Sequence, residues 1–343
     1  MRLISFRRSA VGIVMVGTLI GCAKQPLPQP PIIEEPIVEE PKVEEPVLRH
    51  PFNGQVIETE TDLQAFAIMI SNSKEARHQT GLGLADIVYE ISVDGWSITR
   101  FMAIFASNHP TKVGPVRSAR LPFAELMREY QFPFAHFGSA TTGEGDALSV
   151  LQSLKLPLRF DGHRGLNDEF FFRDSARSAP HNAYFNAQNA LAKLPSKSYE
   201  SRFLFDELTT VNDQSSTRLD VHYSSYNSVR YDYDATTKTY LRSINQQPMK
   251  DLATQSQVSV KNIILLHAPH RDVEAVKYVL VDFVGEGKAQ FFSQGFVEEG
   301  TWKKERGTSL THYYDSQGQE IVLSPGNTWI QVVHPQVAIT IHP

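Results

Sequence analysis

The segment from Gln25 to Pro46 restricts what this chain can fold into more than any other feature. It contains three five-residue repeats, Ile32-Ile33-Glu34-Glu35-Pro36, Ile37-Val38-Glu39-Glu40-Pro41 and Lys42-Val43-Glu44-Glu45-Pro46. Proline at every fifth position removes amide donors and blocks helix and sheet ladders, while the repeated glutamates repel one another. An extended, polyproline-like chain rising about 3.1 Å per residue is therefore favoured. Some twenty-odd such residues reach on the order of 70 Å. The segment reads as a tether, and a globular fold has to begin after it.

What precedes the tether suggests its anchor. Arg2, Arg7 and Arg8 lead into an apolar or small-residue stretch from Ala10 to Ile20. These are the cationic and hydrophobic regions of a secretory signal, too short for a comfortable permanent span. Leu19-Ile20-Gly21-Cys22 follows, in the arrangement of a bacterial lipobox, and Cys22 is the single cysteine. The expectation is cleavage before Cys22 and acylation of its thiol, with each buried acyl methylene contributing about 0.8 kcal/mol to membrane attachment. The expected location is the cell membrane or outer membrane, facing the periplasm or exterior. Ala23 and Lys24, with no aspartate directly after the cysteine, favour outer-membrane sorting in a cell with two membranes. One thiol also excludes an internal disulfide framework and a cysteine-rich zinc or iron-sulfur site.

The remainder is long enough for one large or two ordinary domains, since the 343 residues are 41% hydrophobic and 21% charged. From Leu48 onward 28 basic and 32 acidic side chains nearly balance. That leaves no pervasive cationic surface, so nucleic acid is not an expected partner. Phe66-Ala67-Ile68-Met69-Ile70, Ile87-Val88-Tyr89-Glu90-Ile91 and Phe101-Met102-Ala103-Ile104-Phe105 predict core strands. Leu121 to Tyr130 and Asp146 to Leu154 predict helices. After about Pro195 the texture is strand-dominated, as in Val221-His222-Tyr223-Ser224, Val229-Arg230-Tyr231-Asp232-Tyr233 and Tyr278-Val279-Leu280-Val281-Asp282-Phe283, which predicts mostly antiparallel sheet. The segments 300–304 and 324–330 predict hairpin elements, the second turned by Pro325-Gly326, with Trp302 and Trp329 packed in the core. The expected fold class is α+β, an amino-terminal mixed sheet with helices followed by a β-rich carboxyl-terminal domain.

The densest chemistry lies in Gly114-Pro115-Val116-Arg117-Ser118-Ala119-Arg120. Two guanidiniums three residues apart, at a loop entering a helix, suit a carboxylate or phosphate. The competing arrangement pairs Arg100, Arg117 and Arg120 with internal acids such as Asp86, Glu90, Asp94 or Glu125. In the run from Phe172 to Tyr184, Pro180 pushes the residue before it away from helix, so His181, Asn182 and Tyr184 should project from a loop beside Asp174 and Arg177. The alternative, a cell-wall-acting hydrolase or transferase, would draw on Ser118 or Ser139 as nucleophile, His136 or His181 as base and Asp174 as orienter, although Gly138-Ser139-Ala140 is only a fragment of the Gly-x-Ser-x-Gly elbow. His163, His181, Asp161, Asp168 and Asp174, and the separate pair His267 and His270, lack the His-Glu-x-x-His spacing, so no metal is expected. Gly81-Leu82-Gly83 lacks the third glycine of a nucleotide fingerprint, and no cofactor is expected.

Taken together, Ala85-Asp86-Ile87-Val88-Tyr89-Glu90, Ile98-Thr99-Arg100-Phe101, the 114–120 run, Arg173-Asp174 and Ala179-Pro180-His181-Asn182 resemble the YerB-like family of bacterial lipoproteins. Gly300-Thr301-Trp302-Lys303 and Pro325-Gly326-Asn327-Thr328-Trp329-Ile330 are similar to that family's carboxyl-terminal domain. The resemblance implies an extracytoplasmic, lipid-anchored, two-part α+β protein and supplies no reaction. Where the family is expected to carry Pro-His-x-Asp, this chain has Pro248-Met249-Lys250-Asp251, which moves any shared site to the amino-terminal half. The expected organisation is a signal peptide over 1–21, a tether over 22–50, and YerB-like domains over 51–197 and 198–343. The expected ligand site gathers Arg100, Arg117, Ser118, Arg120, Asp174, Arg177, His181, Asn182 and Tyr184 around an anionic envelope component or a protein partner, with the membrane held through acylated Cys22.

Overall fold

The structure is a computed structural model that describes residues 47–207, 214–273 and 277–343. The expected signal peptide, Cys22 and the Glu-Pro repeats lie outside the described residues. Among the described residues no helix is long and apolar enough to cross a membrane.

Alternation of side chains builds the centre. In β1 (Phe66–Ser71), Ala67 and Met69 enter one core while Phe66, Ile68 and Ile70 enter another on the opposite face. The same alternation runs through β2 (Ile87–Asp94) and β3 (Ile98–Phe105), so this sheet is covered on both sides. One face packs against α1 (Leu121–Tyr130), where Phe123, Ala124, Leu126 and Met127 point inward, and against α2 (Ala147–Ser153), whose start is capped by Asp146 accepting from the Ser149 amide at 3.0 Å. The other face packs on a second, six-stranded sheet through Leu219, Val221, Tyr231 and Tyr240. Three layers result, helices, main sheet and second sheet.

The main sheet has twelve strands. Its linear path runs His312–Asp315, Phe296–Lys304, Gly285–Ser293, Asn262–His267, Thr328–Val333, β2, β3, β1, β4 (Phe134–His136) and β5 (Arg159–Asp161). Thr328–Val333 is parallel both to Asn262–His267 and to β2. β1 is parallel to β4, and β4 to β5. β3 lies antiparallel between β1 and β2. The carboxyl ends of β1, β2, β4, β5, Asn262–His267 and Thr328–Val333 therefore share one edge of the sheet.

The α+β expectation holds broadly, with the molecule mostly sheet, 44% strand against 11% helix. One expectation is corrected. The segment 324–330 is not a hairpin: Gly326 with φ +146° leads into Thr328–Val333, a central strand with parallel neighbours on both sides. Trp302 and Trp329 are both core residues, 1% and 0% exposed. The boundary expected at 197/198 falls inside one compact unit, because the main sheet takes strands from both sides of it.

Candidate functional site

In sheets with parallel strands, ligands settle in the crevice outside the carboxyl ends, where loops diverge and side chains are free of ladder packing. The residues singled out above cluster at that edge. Arg100 in β3 stands opposite Ser71 of β1 and Ile91 of β2. Its Nη2 donates to Asp94 Oδ2 at 2.9 Å, and its Nη1 donates to the Ser118 carbonyl. Arg120, the residue capping the start of α1, donates from Nε to Asp94 Oδ1 at 3.0 Å and lies 4.9 Å over the Tyr278 ring. One carboxylate at the end of β2 thus serves two guanidiniums.

The other acids weighed as partners are occupied elsewhere. Asp86 accepts from Asn53, from the Ala106 and Ser107 amides and from the Ser107 hydroxyl. Glu90 accepts from Arg242 at 2.6 Å in a fully buried pair, and Glu125 from Arg128 at 2.5 Å. Arg117 is half-buried, and among the described residues no carboxylate lies within ion-pair distance of it. Its Nη1 reaches only the Pro180 carbonyl, at 3.5 Å. Burial, with the Arg120 guanidinium added, pulls Arg117 below the ordinary arginine range; the same two causes bring Arg100 down to about 9.

The loop between β6 (Phe171–Arg173) and β7 (Ala183–Phe185) supplies the remaining candidates. His181 Nδ1 lies 3.2 Å from Ser73 Oγ. Burial and the Arg117 charge lower its pKa, against the opposing pull of Glu75. Arg177 is a brace: its guanidinium donates to the carbonyls of Glu75, Arg77 and His78 at 2.9, 3.4 and 2.6 Å. Asp174 accepts from Lys112 Nζ at 2.5 Å, and that ammonium sits 4.5 Å over the Tyr184 ring. Asn182 accepts from Arg173 at 2.6 Å. Lys112, Asp174, Arg177 and Tyr184, with Thr80 and Leu252, border a hollow of about 580 Å³. Two neighbouring places emerge, the arginine cluster around Asp94 and this hollow.

Among the described residues, Ser118, Ser139, His136, His181 and Asp174 are not hydrogen-bonded to one another as a Ser/His/Asp relay. Ser118 Oγ donates to the Phe137 carbonyl at 3.0 Å, and Ser139 Oγ accepts from Arg164 at 3.4 Å. His136 is fully buried, pairs its Nδ1 with the Gly138 carbonyl at 2.8 Å, and leaves Nε2 without a partner. Burial, only partly opposed by nearby Asp161, lowers it to about 4. Asp174 is committed to Lys112 rather than to either histidine. Among the described residues no group of three or more His, Cys, Asp or Glu side chains is placed to hold a metal ion. Sequence reasoning missed Lys112, Ser73 and Tyr278, none of which carries a local motif; each joins the site through a partner more than sixty residues away.

Comparison with known proteins agrees with this architecture. Residues 52–200 match the family described as "Protein of unknown function (DUF3048) N-terminal domain", and residues 219–330 match its C-terminal domain. The protein of Bacillus subtilis (strain 168) named "Putative lipoprotein YerB" is 30% identical over 292 residues, 82% of this chain and 85% of that one. The crystal structure of YerB from Bacillus subtilis superposes with a TM-score of 0.72 at 29% identity, covering 85% of this chain and 99% of that chain. The two-part arrangement, the relative at that identity and the shared fold together place this chain in the YerB-like DUF3048 family.

Proposed function

We propose that this chain is a lipid-anchored extracytoplasmic protein that binds an anionic component of the cell envelope at the carboxyl edge of its main sheet, centred on Arg117. One observation carries the binding half: Arg100 and Arg120 both pair with a single carboxylate, Asp94, while half-buried Arg117 feels that carboxylate only at longer range and has no acid within ion-pair distance among the described residues. A partly desolvated cation with no acid in direct contact costs free energy that a bound anion would recover. The anchoring half is supported by the lipobox at Cys22 and by a relative named as a lipoprotein.

Two measurements test the reading. Full-length chain in detergent, titrated with sulfate, phosphate and acetate, should bind at least one of them; Arg117→Gln should weaken that binding at least fivefold while leaving the melting temperature within a few degrees. Equal binding by the variant, or no binding of any anion by the parent chain, counts against the site. Cys22→Ala should move the protein from the membrane to the soluble fraction, and unchanged membrane retention would remove the anchor.

A further inference from the structure

Arg117 shares the carboxyl end of β1 with other donors. Three segments far apart in sequence meet there. Arg117 reaches the Pro180 carbonyl; the next residue, His181, hydrogen-bonds Ser73 Oγ through Nδ1 at 3.2 Å; and Ser73 Oγ lies 3.4 Å from Ser71 Oγ. His181 Nε2 makes no hydrogen bond among the described residues and is not among the buried atoms, so it stays open to solvent. Arg177, by holding three carbonyls of the segment 75–78, fixes the chain just after Ser73. The donors are thus preorganised before any ligand arrives.

Their chemistry discriminates among anions. A carboxylate offers two coplanar oxygens and is met best by the fork of one guanidinium. Here a guanidinium, an imidazole and a hydroxyl come from separate segments; with His181 protonated, its Nδ1–H donates to Ser73 Oγ, which leaves the Ser73 hydroxyl hydrogen and Nε2–H to donate outward, a set that suits a tetrahedral group with three or four oxygens. The excess of positive charge around Asp94 suits it further. We propose that Arg117, His181 and Ser73 form a subsite for a phosphoryl group on an envelope component, and that His181 takes up a proton as the group binds. This rests on the anion-binding reading above and narrows it.

The proton linkage has a definite sign. The charged groups facing His181 are Arg117 and Arg177, which oppose its protonation, and Glu75, which favours it and also draws on the Ser73 hydroxyl, so a bound anion competes with this carboxylate. A bound anion offsets the Arg117 field, so the bound form holds the imidazole proton more tightly than the free form. Affinity then rises as pH falls, by up to about tenfold for each unit that separates the two forms.

Calorimetric titration of the full-length chain in detergent tests this with sodium sulfate, whose charge is constant between pH 8 and 5.5, and with inorganic phosphate, sodium acetate and glycerophosphoglycerol. Sulfate and phosphate should bind at least tenfold more tightly than acetate, and sulfate affinity should rise at least threefold from pH 8 to 5.5. His181→Asn should abolish that rise, and Ser73→Ala should weaken sulfate binding severalfold, both with a melting temperature near that of the parent. Should His181→Asn fail to fold, the pH profile of the parent and the Ser73→Ala titration decide. Acetate binding as tightly as sulfate, dependent on Arg117 but indifferent to His181, overturns the phosphoryl subsite and leaves the anion reading standing. No binding of any anion overturns both. Preference for glycerophosphoglycerol over inorganic phosphate identifies a polymer phosphodiester as the source, and the reverse preference identifies free phosphate.

Discussion

Arginines of the same type meet different fates here, and the difference is geometric. Arg242 in the second sheet is fully buried against Glu90 of β2, with Tyr231 and Met249 as further contacts. Removing either partner of such a pair leaves an uncompensated buried charge, so Arg242 belongs to the fold. Arg100 and Arg120 share Asp94, and of these three arginines Arg117 alone has no carboxylate within ion-pair distance among the described residues. His136 makes a testable statement at the same scale. Burial first, only partly opposed by Asp161, sets its folded pKa near 4, below the ordinary value of 6.5. Between those values the unfolded chain binds the extra proton, so its contribution to stability is fully present above pH 6.5 and is lost as pH falls towards 4. The loss is on the order of 3 kcal/mol. Urea unfolding of the parent chain should show it over that window, and His136→Asn should flatten the slope; an unchanged slope would mean the buried imidazole is not its source.

At the scale of elements, local runs of sequence mark the central strands and the longest described helix. β1, β2 and β3 announce themselves as short β-branched and aromatic runs between turn residues, and Leu121–Tyr130 forms the helix its composition predicts. The segment 324–330 departs from its local signal. Pro325-Gly326 is a genuine turn signal, but whether the strand after a turn folds back as a hairpin depends on which edge is available to it. Thr328–Val333 finds two parallel partners, one from each half of the chain, and neither is adjacent in sequence. The site shows the same division. Arg117, Arg120 and His181 stood out as residue types in loops, but the choice of Asp94 over Asp86, Glu90 or Glu125 was not legible, because all four acids are plausible until the register of β2 against β3 sets which one reaches Arg100. Lys112 and Ser73 were invisible for the same reason, since their partners come from the β6–β7 loop.

At the scale of the molecule, the two family-matched regions, 52–200 and 219–330, are not two separate cores. Both cores combine residues from each half: Phe101 packs edge-on against Trp329 at 5.6 Å, and Tyr89 and Tyr130 share a cluster with Tyr313 and Ile330. A chain cut between 197 and 198 should therefore yield fragments that do not fold separately, each lacking near-ultraviolet circular dichroism and a cooperative urea transition. A fragment with a sharp transition would show that the shared sheet is not required. The amino-acid sequence by itself determined the Glu-Pro repeats, the Leu19-Ile20-Gly21-Cys22 motif, the strand-rich character and the residue types found at the sheet edge, because these depend on local composition and short-range spacing. Tertiary structure alone decided that the halves merge into one sheet, that Asp94 pairs with two arginines, and that His181 meets Ser73 next to the Pro180 carbonyl that Arg117 reaches. Those outcomes depend on which strands pair at long range, and no local stretch of sequence encodes that.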